Sequence, residues 1–267
     1  MLESVGNAVI TATSLELSFG GIKALDDLSF AIHEGKIVSI IGPNGAGKTC
    51  LINCVTGYYR PQKGQIIFKN RDISGLKPHV IAQLGMSRTF QDPTVFPGMT
   101  ALEILMAARH MHTRTTIPEA MAYFGRSRSE DIASRKLVEE VISLAHIEEL
   151  RKTPVAVMSY GQRKQVEIAR VLVMQPQVVL LDEPMSGLDD YMKEIVTELI
   201  LKMYHQGMTV VLIEHDMQVV MELSHSIIVM DHGQKIAEGT PAEILRNKSV
   251  AEAYLGGLPA GLLTTSH

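Results

Sequence analysis

Short runs of apolar, mostly β-branched residues recur along the 267-residue chain, separated by amphipathic and polar stretches. Four of these runs read VSII, VVLLD, TVVLIE and SIIVM. Each is far shorter than the ~20 apolar residues that a membrane helix needs. Continuous apolar runs of this length predict strands that are buried on both faces, as in a parallel sheet.

The order of the patterns predicts an α/β protein. Near the N-terminus, TSLELSF and LSFAIHEG predict strands of an antiparallel subdomain, and Gly64 to Ile73 predicts a further strand. Residues 98–156 have apolar residues at helical spacing and predict a helical subdomain inserted into the chain. From Val157 onward helix and strand patterns alternate, which predicts parallel strands joined by crossover helices.

These patterns predict how the chain is divided. We expect one domain over residues 1–267, because this length suits one large domain with a subdomain. Its expected parts are a mostly parallel core with the antiparallel subdomain (8–97 and 157–239), the helical subdomain (98–156) and a C-terminal helical tail (240–267).

Charge and cysteine content narrow the classes of partner and compartment. The chain has 25 Lys and Arg against 29 Asp and Glu, a net charge of −4. The basic excess typical of proteins that bind a nucleic-acid backbone is therefore missing. Cys50 and Cys54 are four residues apart in one predicted helix, which favours a reducing compartment over a disulfide framework. No basic segment precedes a long apolar run at the N-terminus, so no signal peptide is expected.

The segment GPNGAGKT matches G-x-x-x-x-G-K-[ST] and stands between a predicted strand and a predicted helix. In such a P-loop, backbone N–H groups point at phosphate oxygens, and Lys48 adds a positive charge for the β- and γ-phosphates. The hydroxyl of Thr49 is a candidate ligand of Mg²⁺. The predicted phosphate-binding residues are Gly42, Pro43, Asn44, Gly45, Ala46, Gly47, Lys48, Thr49 and Cys50.

Two carboxylates, Asp182 and Glu183, follow the apolar run VVLL. An aspartate at the carboxyl end of a parallel strand beside a P-loop can hold Mg²⁺. The next carboxylate is then placed to orient or deprotonate a water that attacks the γ-phosphate. His215 follows another predicted strand at the same edge and is a candidate γ-phosphate contact.

A second helix start has features of an anion site. Ser159 is a favourable N-cap, and Gln162 completes the S-x-x-Q pattern of a capping box. Taken alone, this pattern predicts only a well-capped helix.

The motifs together resemble those of an ABC ATPase subunit. The P-loop, RTFQ, a helical insertion, SYGQ, LLDEP, SGLD and a strand-end histidine stand in that family's order over nearly the whole chain. The resemblance implies a P-loop NTPase fold, hydrolysis of ATP and a requirement for Mg²⁺. It also implies that Phe19 stacks on the adenine. Gln91 would contact Mg²⁺ or the attacking water, in a loop that couples to membrane subunits.

Further roles come from the same resemblance. Glu183 would be the catalytic carboxylate, His215 the switch histidine, and Asp189 part of a loop that crosses a dimer interface. In this family two subunits pack head to tail, so that the SYGQ helix start of one covers the γ-phosphate bound by the other. The residues that would serve a partner's ATP are Ser159, Tyr160, Gly161 and Gln162.

Two residues depart from the common family pattern. Tyr160 stands where most members have glycine, and we expect it to change the packing at the helix start. Cys50 stands where threonine or serine is usual. Its side chain would follow the magnesium ligand Thr49 rather than replace it, so we expect little effect.

Longer segments resemble the ATPases of branched-chain (hydrophobic) amino acid importers, among them SFGGIKALDDLSF, GMSRTFQ and SYGQRKQVEIAR. That resemblance implies a second ATPase subunit in a homo- or heterodimer, two transmembrane permease subunits and, indirectly, a substrate-binding protein. It also implies a peripheral location on the cytoplasmic face of the cell membrane. The ATPases of urea and amide importers share much of this pattern and are an alternative.

Two other classes fit the sequence less well. Soluble ABC ATPases that act on ribosomes or DNA usually carry two cassettes, long coiled coils or basic linkers, whereas this chain has one copy of each motif. A P-loop kinase or GTPase would leave SYGQ, SGLD and His215 unexplained.

Overall fold

The computed structural model describes residues 7–89, 98–110 and 126–255. Two sheets form the frame of this part of the chain. The smaller sheet is antiparallel, with the strand order β2-β1-β4-β5. Its strands are β1 (Ala8–Phe19), β2 (Ile22–His33), β4 (Lys63–Phe68) and β5 (Arg71–Asp72).

The larger sheet has six strands in the order β10-β9-β3-β8-β7-β6. Neighbouring strands from β9 to β6 are parallel, and β10 returns antiparallel beside β9. Its strands are β3 (Ile37–Ile41), β6 (Met86–Arg88), β7 (Val178–Asp182), β8 (Thr209–Ile213), β9 (Ser226–Asp231) and β10 (Gln234–Gly239).

Helices connect and cover these strands. They are α1 (Lys48–Val55), α2 (Pro78–Gln83), α3 (Ala101–His110), α4 (Arg126–Leu144), α5 (Tyr160–Met174), α6 (Asp190–His205), α7 (Met217–Leu223), α8 (Pro241–Leu245) and α9 (Lys248–Leu255). Within the described ranges, no helix is both long enough and apolar enough to cross a bilayer.

The central parallel strands are buried on both faces, and their residues alternate between two cores. In β8, Val211 and Ile213 belong to a core that also contains residues of α1 and of the antiparallel sheet. Val210 and Leu212 point the other way, into a core formed with α3 to α6. The period of two along a strand explains this alternation, and burial on both faces explains why these strands are continuous apolar runs.

Most elements predicted from the sequence are confirmed, including the α/β class, the antiparallel N-terminal sheet and the helix from Lys48 to Val55. The single strand predicted from Gly64 to Ile73 is wrong, because the chain turns at Lys69 and Asn70 between β4 and β5. Both turn residues have positive φ, 48° and 62°, which is the conformation that a tight type I′ hairpin requires. Sequence reasoning also missed α2, β6 and α7, which are too short to carry a clear period.

The loop between β3 and α1 depends on close backbone contact. Gly47 has φ of 96°, and a β-carbon added there would overlap the carbonyl oxygen of Ala24 on β2. Gly45 has a similar φ of 85°, but a β-carbon there would meet no atom within 4 Å. Alanine at Gly45 would therefore cause backbone strain alone, whereas alanine at Gly47 would cause backbone strain and a steric clash.

We predict that Gly47→Ala lowers the melting temperature more than Gly45→Ala does. Both variants place alanine at positive φ, which costs about 1–2 kcal/mol, but only Gly47→Ala must also push β2 away. Scanning calorimetry of the two nucleotide-free variants measures the difference. Equal losses would mean that β2 yields to the added methyl group without cost.

Candidate active site

Three neighbouring strands end at one edge of the parallel sheet. In the register of the sheet, Ile40 of β3 lies beside Ile213 of β8, and Ile213 lies beside Asp182 of β7. The pairing continues one residue further, because the Glu183 N–H donates to the Ile213 carbonyl at 2.9 Å. The P-loop, the Asp182-Glu183 pair and the segment that contains His215 therefore leave the sheet side by side.

The P-loop places its lysine among its own carbonyl groups. Lys48 Nζ donates to the carbonyl oxygens of Gly42 at 2.6 Å and of Pro43 at 3.0 Å. Burial lowers the pKa of Lys48, and the charges of Glu183 and Asp182 act in the opposite direction. The ammonium group thus lies within the electrostatic reach of both carboxylates, where a phosphate chain would bring further negative charge.

Asp182 is held by Arg88 through a buried ion pair. The distance from Arg88 Nη2 to Asp182 Oδ2 is 2.9 Å, and the two side chains are 10% and 1% exposed. The other guanidinium nitrogen, Nη1, donates to Asn53 Oδ1 at 2.5 Å. The Asp182 N–H donates to Thr89 Oγ1 at 3.1 Å, so the end of β6 fixes the end of β7 at two points.

The free oxygen of Asp182 suits a metal ion. Oδ1 is buried and accepts no hydrogen bond from the described residues. A buried carboxylate oxygen without a donor is costly unless a ligand satisfies it. Mg²⁺ prefers hard oxygen ligands and usually takes only one or two from protein carboxylates, with phosphates and water as the others. The residues present therefore fit Mg²⁺.

Glu183 and His215 face each other across β7 and β8. Their side chains are 33% and 60% exposed, and His215 Nδ1 lies 4.0 Å from Glu183 Oε1. Glu183 has φ of 49°, a conformation that is costly for a residue with a side chain and is often found at functional sites.

Glu214 lies between β8 and His215 and binds two segments of the site. Its carboxylate is almost fully buried and accepts hydrogen bonds from the N–H groups of Met185 at 2.8 Å and His215 at 3.2 Å. Burial raises the pKa of Glu214, which these N–H donors partly offset. Glu214 therefore ties the loop that follows Glu183 to the segment that contains His215.

Phe19 is half-exposed at the end of β1 and is in contact with a second aromatic residue. Its ring centroid lies 5.2 Å from that of Tyr59, in an edge-to-face arrangement. Two partly exposed rings provide a surface on which a planar base can stack. Gln91, the remaining residue predicted for this region, lies outside the described residues.

The SYGQ segment lies beside the loop that precedes α6. The predicted capping box at Ser159 is present, with Gln162 N–H donating to Ser159 Oγ and Ser159 N–H donating to Gln162 Oε1. A β-carbon added to Gly161 would lie 3.4–3.5 Å from Met192 and Leu188. Asp189 caps α6 by accepting from the Met192 N–H at 2.8 Å. The starts of α5 and α6 therefore pack together.

Sequence reasoning missed three residues near the site: Arg88, Glu214 and Tyr59. Arg88 stands in the RTFQ segment, but its partner Asp182 is 94 residues away in sequence. Glu214 is a charged residue at the end of an apolar strand run, which is a usable signal for a buried carboxylate. Nothing in the sequence links Tyr59 to Phe19.

Comparison with known proteins identifies the family. The family described as "ABC transporter" matches residues 25–186, and the family described as "Branched-chain amino acid ATP-binding cassette transporter" matches residues 234–258. This chain belongs to the ABC transporter family. The predicted membership and the predicted ATPase class of the chain are thereby confirmed.

Curated relatives in this family align over nearly their full length. The "High-affinity branched-chain amino acid transport ATP-binding protein LivG" of Salmonella typhimurium is 38% identical over 93% of this chain and 98% of its own length. The corresponding BraF protein of Pseudomonas aeruginosa is 36% identical with the same coverage. The predicted resemblance to ATPases of branched-chain amino acid importers is confirmed by these relatives.

Solved structures of ABC cassettes share the fold. The ADP conformation of MJ1267, an ATP-binding cassette of an ABC transporter, is 30% identical with a TM-score of 0.78, over 94% of this chain and 99% of that one. The dimeric structure of MJ0796, a bacterial ABC transporter cassette, is 26% identical with a TM-score of 0.73, over 87% of this chain and 98% of that one. The predicted P-loop NTPase fold is confirmed.

We predict that Arg88→Leu destabilises this ABC ATPase by roughly 3–5 kcal/mol, because it leaves the buried Asp182 carboxylate without its counter-ion. Urea unfolding measures the loss. The matched control is Arg135→Leu, which breaks an exposed i,i+4 pair with Asp131 and should change stability little.

A double variant, Arg88→Leu with Asp182→Leu, should recover part of the loss, because the uncompensated charge is then gone. A double variant that is as unstable as the sum of the two single changes would mean that the pair acts through packing and not through charge.

Proposed function

We propose that this chain is the ATP-hydrolysing subunit of an ABC importer for branched-chain amino acids. The observation that carries the proposal is the convergence of Lys48, Asp182 and Glu183 at one sheet edge, with His215 beside them. The cargo is inferred from relatives whose names specify branched-chain amino acid transport and from the match over residues 234–258.

The P-loop would bind the phosphates of ATP. Gly47, the N-cap of α1, has no side-chain cap, so the first N–H groups of that helix are available to an anion. Lys48 would exchange its bonds to the Gly42 and Pro43 carbonyls for stronger, charge-assisted bonds to phosphate oxygens. Phe19, with Tyr59 at its edge, would stack on the adenine.

Asp182 and Thr49 would hold Mg²⁺, and Gln91 is a further proposed contact of the metal or of the attacking water. Bound there, Mg²⁺ would neutralise charge that develops on the β- and γ-phosphates. Arg88 holds Asp182 in position through the ion pair with Oδ2. The free Oδ1 is the oxygen offered to the metal.

Glu183 would orient a water and accept its proton as that water attacks the γ-phosphate. Its positive φ and the hydrogen bond from its N–H to Ile213 fix the carboxylate beside His215. His215 would contact the γ-phosphate from the β8 side. Glu214 holds both loops in register through the Met185 and His215 N–H groups.

Two copies of this fold would complete the active sites. The helix start at Ser159–Gln162 packs on the start of α6 and would serve an ATP bound to a second ATPase subunit, packed head to tail. Asp189 would lie at that interface. The dimeric cassette structure is one of the solved structures that this chain resembles.

The permease subunits would dock in a groove beside β6. The groove has a volume of about 360 Å³ and is lined mainly by apolar side chains from α2, α3 and α5, with Tyr58, Arg88 and Arg170 at its polar side. A short permease helix with an apolar face suits such a groove. Docking there would place this subunit at the cytoplasmic face of the membrane, and α3 of the proposed helical subdomain (98–156) lines the groove.

We predict that Glu183→Gln reduces ATP hydrolysis by about 100- to 10,000-fold, the usual contribution of a general base, and leaves ATP binding nearly unchanged. Phosphate release and calorimetric titration measure the two quantities. The exposed Glu194→Gln on α6 is the control and should keep the parent rate.

The same variant tests the transport role. In cells that express this chain with its partner subunits and lack other leucine importers, Glu183→Gln should abolish uptake of labelled leucine, and Glu194→Gln should not. A parent hydrolysis rate in Glu183→Gln would remove Glu183 from the base role. Leucine uptake that persists while hydrolysis is lost would argue against this cargo.

We predict that Ser159→Arg leaves ATP binding by the single subunit nearly intact and suppresses hydrolysis, since the arginine would block the partner's γ-phosphate site. Thr240→Arg is a matched control, because Thr240 forms an equivalent capping box with Glu243 at the start of α8. Both variants lose a cap worth about 1 kcal/mol, but only Ser159→Arg should lose activity. Loss of ATP binding by monomeric Ser159→Arg would refute the role in trans.

A further inference from the structure

Tyr160 is the departure from the common ABC pattern that the proposed ATPase cycle does not explain. It occupies the first position of α5, directly after the Ser159 cap, and is 40% exposed. A bulky, half-exposed ring at a helix start that must approach a partner needs a physical reason to be there.

The ring lies against the loop that follows Glu183. A β-carbon built on Gly187 would be 3.3 Å from Tyr160 Cε1 and 3.7 Å from Cδ1, so the ring edge lies directly beside the position that a side chain at residue 187 would take. Gly187 has φ of 73°, a conformation that glycine adopts without strain. A side chain at residue 187 would therefore meet both backbone strain and the ring.

Lys164 lies over the face of the ring. Lys164 lies one turn further along α5, and only 3% of the residue is exposed. Its Nζ is 5.6 Å from the centroid of the Tyr160 ring. A buried ammonium group over an aromatic face is a favourable cation–π contact. The ring thus meets Lys164 at its face and lies beside Gly187 at its edge.

The loop between Glu183 and α6 is short and internally bonded. The Ser186 N–H donates to the Glu183 carbonyl, and the Leu188 N–H donates to the Met185 carbonyl, each at 3.3 Å. Met185 is also held by Glu214. These bonds connect Glu183 to Gly187 through four residues, so the loop offers a short path from Glu183 to the ring of Tyr160.

We propose that Tyr160 is a positioning residue that transmits the state of the chain's own ATP site to the helix start that serves the partner's ATP. Glu183 acts on the nucleotide bound to this chain's P-loop, and Ser159–Gln162 acts on the partner's nucleotide, which rests on the proposed function above. Tyr160 is the side chain that joins these two segments within one chain. Glycine at this position would leave a gap between α5 and the loop.

Fluorescence of Tyr160→Trp tests the inference directly, because the chain contains no tryptophan. The emission is recorded at a concentration where light scattering gives the monomer mass, so that no partner nucleotide can reach the ring. We expect the emission maximum to shift when MgATP fills the monomer's own P-loop in a Glu183→Gln background. Tyr191→Trp, at a 63% exposed position on α6, is the control and should show no comparable shift.

Calorimetry on the same samples separates the possible failures. Nucleotide binding without an emission shift at residue 160 would overturn the role of Tyr160 and leave the proposed function standing. No nucleotide binding at all would overturn the proposed function and, with it, this inference.

Hydrolysis by the conservative pair of variants adds a second readout. Tyr160→Phe keeps a ring beside Gly187 and should therefore lose much less hydrolysis rate than Tyr160→Gly does. Tyr160→Gly should bind ATP with unchanged affinity as a monomer but lose hydrolysis rate at saturating ATP. Equal behaviour of Tyr160→Phe and Tyr160→Gly would overturn the inference.

Discussion

The parallel register of β3, β8 and β7 constrains everything at the candidate active site. Because these strands run the same way and are paired residue by residue, the carboxyl ends of neighbouring strands lie one strand spacing apart. Three segments that are distant in sequence, the P-loop, Asp182-Glu183 and His215, are thereby brought to one edge. Successive residues of these strands pack into two different cores. A shift of one residue would move every side chain of a strand into the other core, so the packing fixes the register.

Buried charge refines the geometry that the strands provide. Arg88 and Asp182 form a pair that is nearly inaccessible to water, and Glu214 is a buried carboxylate held by backbone N–H groups. Burying such groups is expensive and rarely adds net stability. Their benefit is positional: Arg88 binds one oxygen of Asp182 and leaves the other without a hydrogen bond from the described residues, and Glu214 ties the loop after Glu183 to the segment that contains His215. The groove beside β6 reaches the same guanidinium group, so a partner that docks there touches the residue that holds Asp182.

The sequence predicted the parts of this arrangement that have local signatures. The glycine pattern of the P-loop, the strand-end carboxylates and the capping box at Ser159 are each encoded within a few residues. The contacts between distant segments were not predictable in this way. Arg88 and Asp182 meet only because β6 lies beside β7, and Tyr160 reaches Gly187 only because α5 and α6 begin side by side. The hairpin at Lys69 and Asn70 is a local feature that also was not predicted. Both residues have positive φ, but neither is a glycine, which is the usual sequence signal for that conformation.

The two helix starts that motivated the phosphate-site predictions differ in how they are satisfied. Helix α1 begins at Gly47 with no side-chain cap and no acidic residue in its first turn, so its N–H groups and dipole are left for an anion. Helix α5 also lacks an acidic residue there, but Ser159 and Gln162 close a complete capping box. In contrast, α6 and α8 carry Asp190 and Glu243 in their first turns, and these carboxylates would repel a phosphate.

The start of α5 is thus stable without a ligand, and no acidic side chain in its first turn would repel an anion. Those are the properties that the proposed role in trans would require of α5, since the partner's phosphate would arrive only on closure of the two subunits. The start of α1, which would face the chain's own nucleotide, would not need a side-chain cap.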